Sequence, residues 1–84
     1  MSYKLFKLNG DFIKESNSFY SNFTGIVEYS DSSKEWFLNG QCHRWDGPAW
    51  EAGDGPKSWH VYGKHVSKEQ HALLVDIMKL KGLL

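Results

Sequence analysis

The side chains best able to bind a metal or to act as a nucleophile are Cys42, His60 and His65. If Tyr62 and Gly63 form a turn, His60 and His65 lie directly opposite each other on adjacent strands, close enough to share one metal ion. Zinc sites, however, usually contain two cysteines close together in sequence, and this chain has one cysteine. We therefore expect no metal and no other cofactor.

Nucleophilic catalysis by Cys42 would require a base beside its thiol. The neighbouring His43 points to the other face of a strand, because side chains alternate along a strand. The sequence also shows no paired-carboxylate pattern and no glycine-rich phosphate loop. We predict that the protein is not an enzyme, has no catalytic residue and takes no small-molecule substrate.

His43 is expected to have a structural role instead. On the predicted hairpin it lies opposite Trp36 on the buried face, where polar groups are normally hydrogen-bonded within the fold. Arg44 and the sequence Asp46-Gly47-Pro48 that follows it favour a hydrogen-bonded corner. In this corner Asp46 would accept from Arg44 or from the backbone.

Length and charge limit the classes of function. Eighty-four residues suffice for a single domain, residues 1–84, with little room for a large core. Ten basic and ten acidic side chains balance to a net charge of zero, which argues against an acidic DNA mimic and against a broad basic surface for nucleic acid. Aromatic residues make up 15% of the chain, so large rings must supply much of the buried surface.

The sequence favours a cytoplasmic protein. A single cysteine cannot form an intrachain disulfide, which suits a reducing compartment. The first residues show no basic stretch followed by an apolar run, so we expect no signal peptide. No apolar segment approaches the ~18 residues that span a membrane, so a membrane role is not expected.

The elements that must position these side chains are repeated in the sequence. Five residues recur 23 positions later: Glu28, Asp31, Lys34, Trp36 and Gly40 return as Glu51, Asp54, Lys57, Trp59 and Gly63. A fainter copy comes earlier, where residues 6–10 match residues 36–40. A repeat of this length is typical of one supersecondary unit packed against copies of itself.

Each copy is predicted to be a β-hairpin, over residues 4–14, 34–45 and 57–66. Asn39-Gly40 and Asn9-Gly10 suit two-residue type I′ turns, in which both residues have φ > 0. Tyr62-Gly63 should form another turn type, because a bulky residue tolerates positive φ poorly. With a two-residue turn at Asn39-Gly40, Trp36 faces His43, Phe37 faces Cys42, Glu35 faces Arg44 and Lys34 faces Trp45.

Strand alternation then sorts the side chains into two faces. The predicted core face carries Phe6, Leu8, Ile13, Trp36, Leu38, His43, Trp45, Trp59, Val61 and Val66. The opposite face, which should meet solvent or a partner, carries Lys7, Phe12, Lys14, Glu35, Phe37, Cys42, Arg44, His60 and His65.

Two further segments complete the predicted fold. Residues 15–23, rich in Ser and Asn, should form an irregular loop anchored by Phe19 and Tyr20. Ser67 and Gln70 match a capping box, and Gly82 suits the position beyond a helix end, which predicts a helix over 68–81. The apolar residues that should dock this helix on the sheet are Leu73, Leu74, Ile77 and Met78. The fold class is therefore mainly β (α+β): an antiparallel β-hairpin repeat meander with one C-terminal α-helix.

The segment 34–49, KEWFLNGQCHRWDGPA, carries a family resemblance. It resembles the "keWyxNGkxHRxDGPA" repeat of small phage and giant-virus proteins, which is related to MORN-like repeats, and it is more loosely similar to YwqK-type antitoxin repeats. The resemblance covers residues 24–67 and, faintly, 5–14. The third copy departs from it at Tyr62 and Val66, which is typical of a terminal repeat.

The resemblance implies a hairpin meander that works by binding. Small phage proteins of this kind often disable a bacterial host system, and YwqK-type repeats are linked to toxin neutralisation. A bacterial protein, such as a toxin or defence factor in the host cytoplasm, is therefore the expected partner. Other MORN-type proteins are linked to lipids and scaffolding, which leaves a lipid-associated scaffold module as a weaker alternative.

Candidate contact residues lie where the copies differ. Aromatic and basic side chains dominate interface hot spots, and the predicted partner-binding residues are Phe37, Arg44, Trp50, His60 and Tyr62. As an alternative, RNA or single-stranded nucleic acid would bind through Lys7, Lys14 and Arg44, with nearby rings stacking on bases. Unpaired strand edges can also pair between two copies of the chain, so a homodimer is a further alternative.

Overall fold

The structure is a computed structural model that describes residues 2–84. Within this range eight strands precede one helix: β1 (Tyr3–Phe6), β2 (Phe12–Ser16), β3 (Gly25–Glu28), β4 (Lys34–Leu38), β5 (Gln41–Cys42), β6 (Trp50–Glu51), β7 (Lys57–Val61), β8 (Lys64–Val66) and α1 (Lys68–Leu80). The strands pair antiparallel in the order β2-β1-β3-β4-β6-β7-β8, and β5 pairs with β4. The predicted fold, a mainly β hairpin meander with one C-terminal helix, is confirmed.

The turn at Asn39-Gly40 has the predicted conformation, with φ of 51° and 82°. Tyr62-Gly63 adopts almost the same angles, 50° and 84°, so the prediction of another turn type is wrong. A bulky residue is strained in this region. Two contacts offset the strain: the Tyr62 N–H donates to Nδ1 of His43 at 2.9 Å, and the two rings stack with centroids 4.2 Å apart.

The first hairpin departs from the predicted register. Of the pair Asn9-Gly10 only Gly10 has positive φ, at 96°, and its N–H donates to the carbonyl of Lys7. The Lys7 N–H in turn donates to the carbonyl of Asp11, which describes a three-residue loop with glycine at its left-handed position. Next to the turn the register therefore shifts, and Phe6 pairs with Phe12 instead of Ile13; beyond an irregularity between Leu5 and Phe6 the predicted register returns, with Leu5 opposite Lys14.

The second hairpin is shorter than predicted. Phe37 pairs with Cys42 as expected, but β5 ends there. Trp50 of β6 takes the place opposite Glu35 that was assigned to Arg44. The chain leaves β4 because Arg44 has partners elsewhere: its N–H donates to the carbonyl of His60, and its side chain holds the following corner.

The sheet buries side chains on both faces, whereas the sequence predicted one core face. We call the side containing Phe6, Ile26 and Trp36, which are cross-strand partners, the helix-side face. The side containing Leu5 and Val27 is the loop-side face. Leu5 and Val27 are 3% and 0% exposed, so the face expected to meet solvent is a core.

Aromatic rings fill the loop-side face. Phe37 lies within 6.5 Å, centroid to centroid, of the rings of Phe19 and Phe23, and Phe19 also contacts Tyr3. The loop after β2 therefore folds over the sheet and is anchored by Phe19, as predicted. Tyr20 is 77% exposed, and its predicted anchoring role is wrong.

The helix-side face is covered more sparsely. Ala49 and Val66 are buried there, and so is His43, which is 6% exposed. Leu8 and Ile13, both assigned to the core, are 51% and 43% exposed, so those assignments are wrong. Leu8 lies in the first turn, and the register shift moves Ile13 out of its predicted pairing.

Helix α1 begins as predicted. The Ser67 side chain accepts from the N–H of Gln70, and the Gln70 side chain accepts from the N–H of Ser67. At its end the N–H of Gly82 donates to the carbonyl of Lys79 and that of Leu83 to the carbonyl of Met78, a Schellman motif with Gly82 in its predicted place. The last helical residue is Leu80, one residue before the predicted boundary. Within residues 2–84, no helix combines the length and hydropathy needed to cross a membrane.

The contact between α1 and the sheet is centred on His71, which is 5% exposed and hydrogen-bonds through Nε2 to the carbonyl of Arg44 at 2.7 Å. Lys68 lies over the ring of Trp59 at 5.8 Å. Leu73 is 61% exposed and Ile77 37%. The predicted apolar stripe is therefore only partly used for docking, through its half-buried members Leu74 and Met78.

Candidate protein-binding surface

Arg44 organises the corner after β5 through hydrogen bonds within the chain. Its Nε donates to Asp46 at 2.8 Å, and Nη1 donates to the carbonyl of Pro48 at 3.1 Å and to Glu51 at 3.3 Å. Its Cζ atom lies 3.9 Å from the centroid of Trp36. The corner predicted between Arg44 and Asp46 is confirmed, and two carboxylates neutralise the guanidinium.

Phe37 and Trp50, two predicted contact residues, pack on the loop-side face. Phe37 lies among the rings of the loop after β2. Trp50 is half-buried against Tyr29, with ring centroids 5.8 Å apart. The outward orientation predicted for Phe37 is therefore wrong, because the loop covers the face on which it lies.

Tyr29 and Glu35 form a polar link on the same face. The Tyr29 hydroxyl donates to Glu35 at 2.7 Å, and burial together with this carboxylate raises the pKa of Tyr29 above its ordinary value. Cys42 lies nearby, and its thiol donates to the carbonyl of Ala49 at 3.6 Å. Burial, reinforced by Glu35, raises the pKa of Cys42 to about 12, so the reactive thiolate is scarce near neutral pH.

His60 and His65 face each other across the third hairpin, as predicted, with ring centroids 5.2 Å apart. Nε2 of His60 is hydrogen-bonded to the Ser58 hydroxyl at 3.1 Å. The pKa of His60 is lowered, chiefly by burial and also by His65. The described part of the chain contains no cluster of three or more His, Cys, Asp or Glu side chains arranged to hold a metal ion.

Tyr62 is the predicted contact residue that the structure leaves most accessible. Its side chain is 53% exposed, although its ring is held on two sides. His43 stacks beneath it, and the edge of Trp45 lies 6.0 Å away, centroid to centroid. His43, predicted to be buried and hydrogen-bonded, is confirmed in that role, and its pKa is lowered by burial and by the proximity of His71.

Beside this aromatic cluster a groove opens on the helix-side face. Its volume is about 430 Å³. The apolar side chains that line it include Leu8, Trp36, Leu38, Trp45 and Leu84, and His43 lies between the groove and Tyr62. From the sequence, Leu8, Trp36, Leu38 and Trp45 are all predicted to lie in the core. The proximity of Leu8 and Leu38 to turns was the signal that could have indicated exposure.

The basic residues of the nucleic-acid hypothesis do not meet. Lys7 lies in the first turn, and Lys14 pairs with Leu5 and so shares the loop-side face. Arg44 covers Trp36 on the other side of the sheet and is paired with carboxylates. The structure therefore shows no continuous basic patch formed by these three side chains.

Comparison with known proteins finds no match to this chain. No protein-family model matches the chain, and neither a curated protein nor a solved structure matches it.

Proposed function

We propose that this protein is a non-enzymatic binding module that holds another protein through Tyr62 and the adjoining apolar groove. The observation that carries the proposal is the exposed Tyr62 ring, kept in one position by a strained turn and by His43. Strained backbone conformations persist where the surrounding structure enforces them, and they cluster at functional sites.

The geometry suits a protein partner for energetic reasons. Tyrosine and tryptophan are enriched at interface hot spots, and a ring already fixed in place loses little conformational entropy on binding. The groove adds Leu8, Leu38 and Trp45 as an apolar surface next to this ring. A partner that inserts an apolar side chain into the groove and covers Tyr62 would bury both features.

The repeat resemblance at residues 34–49 suggests the class of partner. We propose a bacterial protein, such as a toxin or a defence factor, which this chain would inhibit by covering its surface. A bacterial cytoplasm is the proposed compartment, and the lone Cys42 thiol is compatible with reducing conditions. RNA binding is a weaker proposal, because Lys14 and Arg44 lie on opposite faces of the sheet.

Tyr62→Asn tests the proposal. Asparagine tolerates the left-handed conformation and would recreate the Asn-Gly turn found at residues 39–40, so folding should be preserved while the ring is removed. The matched control is Tyr20→Asn, which removes a tyrosine that is 77% exposed elsewhere. Tagged wild type and both variants are used to capture partners from bacterial lysate, and affinity for the captured protein is then measured with purified components.

We expect wild type and Tyr20→Asn to retain the same bacterial protein and Tyr62→Asn to bind it roughly 30-fold more weakly, as for a hot spot worth about 2 kcal/mol. Leu8→Ser should also weaken binding, whereas Ile13→Ser, exposed outside the groove, should not. If Tyr62→Asn and Leu8→Ser both captured the partner as well as the wild type does, the proposed surface would be overturned. Capture of nucleic acid alone would favour the weaker proposal.

A further inference from the structure

The third hairpin places two imidazoles in an arrangement able to bind a metal ion. Its turn contains two residues, so Val61 and Lys64 form the first pair and His60 and His65 the next. Pairs alternate between hydrogen-bonded and non-hydrogen-bonded, and the second pair after a two-residue turn is non-hydrogen-bonded, with Cα atoms about 4.5 Å apart. The backbone agrees: the His60 carbonyl points away from β8 and accepts from Arg44 at 3.3 Å.

Because the two strands approach closely here, the side chains of His60 and His65 also lie close together. The rings of His60 and His65 have centroids 5.2 Å apart and planes inclined by 63°. Ser58, two residues before His60 and on the same face, hydrogen-bonds to Nε2 at 3.1 Å and leaves Nδ1 of that ring for a ligand. Metal-binding histidines are usually oriented in this way, by a hydrogen bond to the other ring nitrogen.

We propose that His60 and His65 together bind one divalent transition-metal ion of the zinc, nickel or copper class, with solvent completing its coordination. Imidazole nitrogen is a preferred ligand for these ions. The Glu35 carboxylate acts electrostatically on His60 and adds negative charge on this side of the sheet. The bound ion links β7 to β8 and thereby stiffens the hairpin that carries Tyr62 in its turn.

Two protein ligands distinguish this site from the closed zinc sites that fold small domains, which use four. The sequence places the two histidines opposite each other but contains no cysteine pair of the kind that zinc sites usually have. In the structure the hairpin holds the two imidazoles together as their sequence spacing predicts, without any cysteine ligand. The ion therefore cross-links the two strands of a hairpin that is already folded, and the protein folds without it.

The experiment is a titration of the full chain with ZnCl₂ and, separately, NiCl₂, followed by isothermal titration calorimetry and by two-dimensional NMR of the imidazole rings. We expect one ion per chain, shifts confined to His60 and His65, and a rise in Tm with added metal. His65→Gln should weaken binding at least tenfold and abolish the rise in Tm. Ser58→Ala should weaken it about tenfold, within the range for removing an orienting hydrogen bond.

Lys64→Gln is the matched control, since it changes the same hairpin but its side chain lies on the other face. It should bind metal like the wild type. Equal affinity of wild type and His65→Gln, shifts at the buried His43 or His71 instead, or no binding at millimolar metal would each overturn the proposal. Circular dichroism of every variant without metal checks that the fold is retained, so loss of binding is not mistaken for unfolding.

Discussion

The two faces of the sheet are built from neighbouring residues of the same strands, yet they differ in what covers them. On the loop-side face, Phe37 packs against Phe19 and Phe23 from the loop after β2. On the helix-side face, Trp36 lies under a guanidinium, and a groove of about 430 Å³ stays open beside it. Alternation separates the two sets of side chains, but the covering segment decides which set becomes core and which becomes surface.

This difference reverses the roles that the sequence suggested. Phe37, predicted at a partner surface, is half-buried against the loop after β2, whereas Leu8 and Leu38, predicted in the core, line an open groove. The repeated residues that lie in strands, such as Lys34 and Trp36, are on the helix-side face. The residues that differ between copies, above all Tyr62, distinguish the helix-side surface.

The largest effect should follow from Phe37→Ala. If the loop-side face is a core, deleting this ring should cost about 3–5 kcal/mol in the free energy of unfolding, because it leaves a cavity between Phe19 and Phe23. Urea denaturation followed by fluorescence measures the change. If Phe37 were instead an exposed contact, the variant would unfold like the wild type, and the distinction between the two faces would fail.

Arg44→Met should have an intermediate effect. The variant removes charge-assisted hydrogen bonds to Asp46 and Glu51 and the contact with Trp36, while keeping much of the apolar side chain. We expect a loss of about 1–3 kcal/mol, since hydrogen bonds to charged groups are worth about that much. Lys14→Met, on the exposed end of the loop-side face, serves as the control in urea denaturation and should change stability by less than about 0.5 kcal/mol. Similar small changes for both would mean that the corner does not stabilise the helix-side face.

The smallest effect should come from pH, through the lowered pKa of His43 on the helix-side face and of His60 on the loop-side face. Burial and His71 lower the pKa of His43, so the folded protein keeps this ring neutral where the unfolded chain, with a pKa near 6.5, is already protonated. Its contribution to stability is complete above that pH and is lost as the pH falls through the lowered pKa. We therefore expect Tm to decrease between about pH 7.5 and pH 5.

His43→Asn isolates this contribution, because an amide oxygen can still accept from the N–H of Tyr62 but does not titrate. Scanning calorimetry at several pH values should show a weaker decrease in Tm for the variant than for the wild type. Hydrogen exchange at mildly acidic pH should report faster opening around His43 and α1, with the amide of Val27 still protected. An unchanged pH dependence in the variant would assign the effect to other groups.

Local features were predictable because each depends on a few adjacent residues. The Asn39-Gly40 turn, the Ser67–Gln70 capping box and the Gly82 helix end follow from rules about φ angles and unpaired backbone groups. The cross-strand pairs Phe37–Cys42 and His60–His65 follow from the two-residue turns between them. The burial of His43 was predictable too, since a hairpin places it opposite Trp36.

Features that depend on distant residues were not predictable in this way. Tyr62 adopts a left-handed conformation because His43, 19 residues away, accepts its N–H and stacks on its ring. Glu35 pairs with Trp50 because Arg44 finds partners in the following corner and on β7. The proposed contact surface also depends on residues that are distant in sequence, since the groove forms where Leu8, Trp45 and Leu84 meet.

By itself, the sequence determined that this protein is a meander of β-hairpins followed by one capped helix, because turn chemistry and side-chain periodicity act over a few residues. The tertiary structure alone decided which face of the sheet the loop after β2 covers, which face α1 covers, and where the groove remains. The physical reason is that alternation assigns a side chain to a face, whereas burial depends on which distant segment packs against that face.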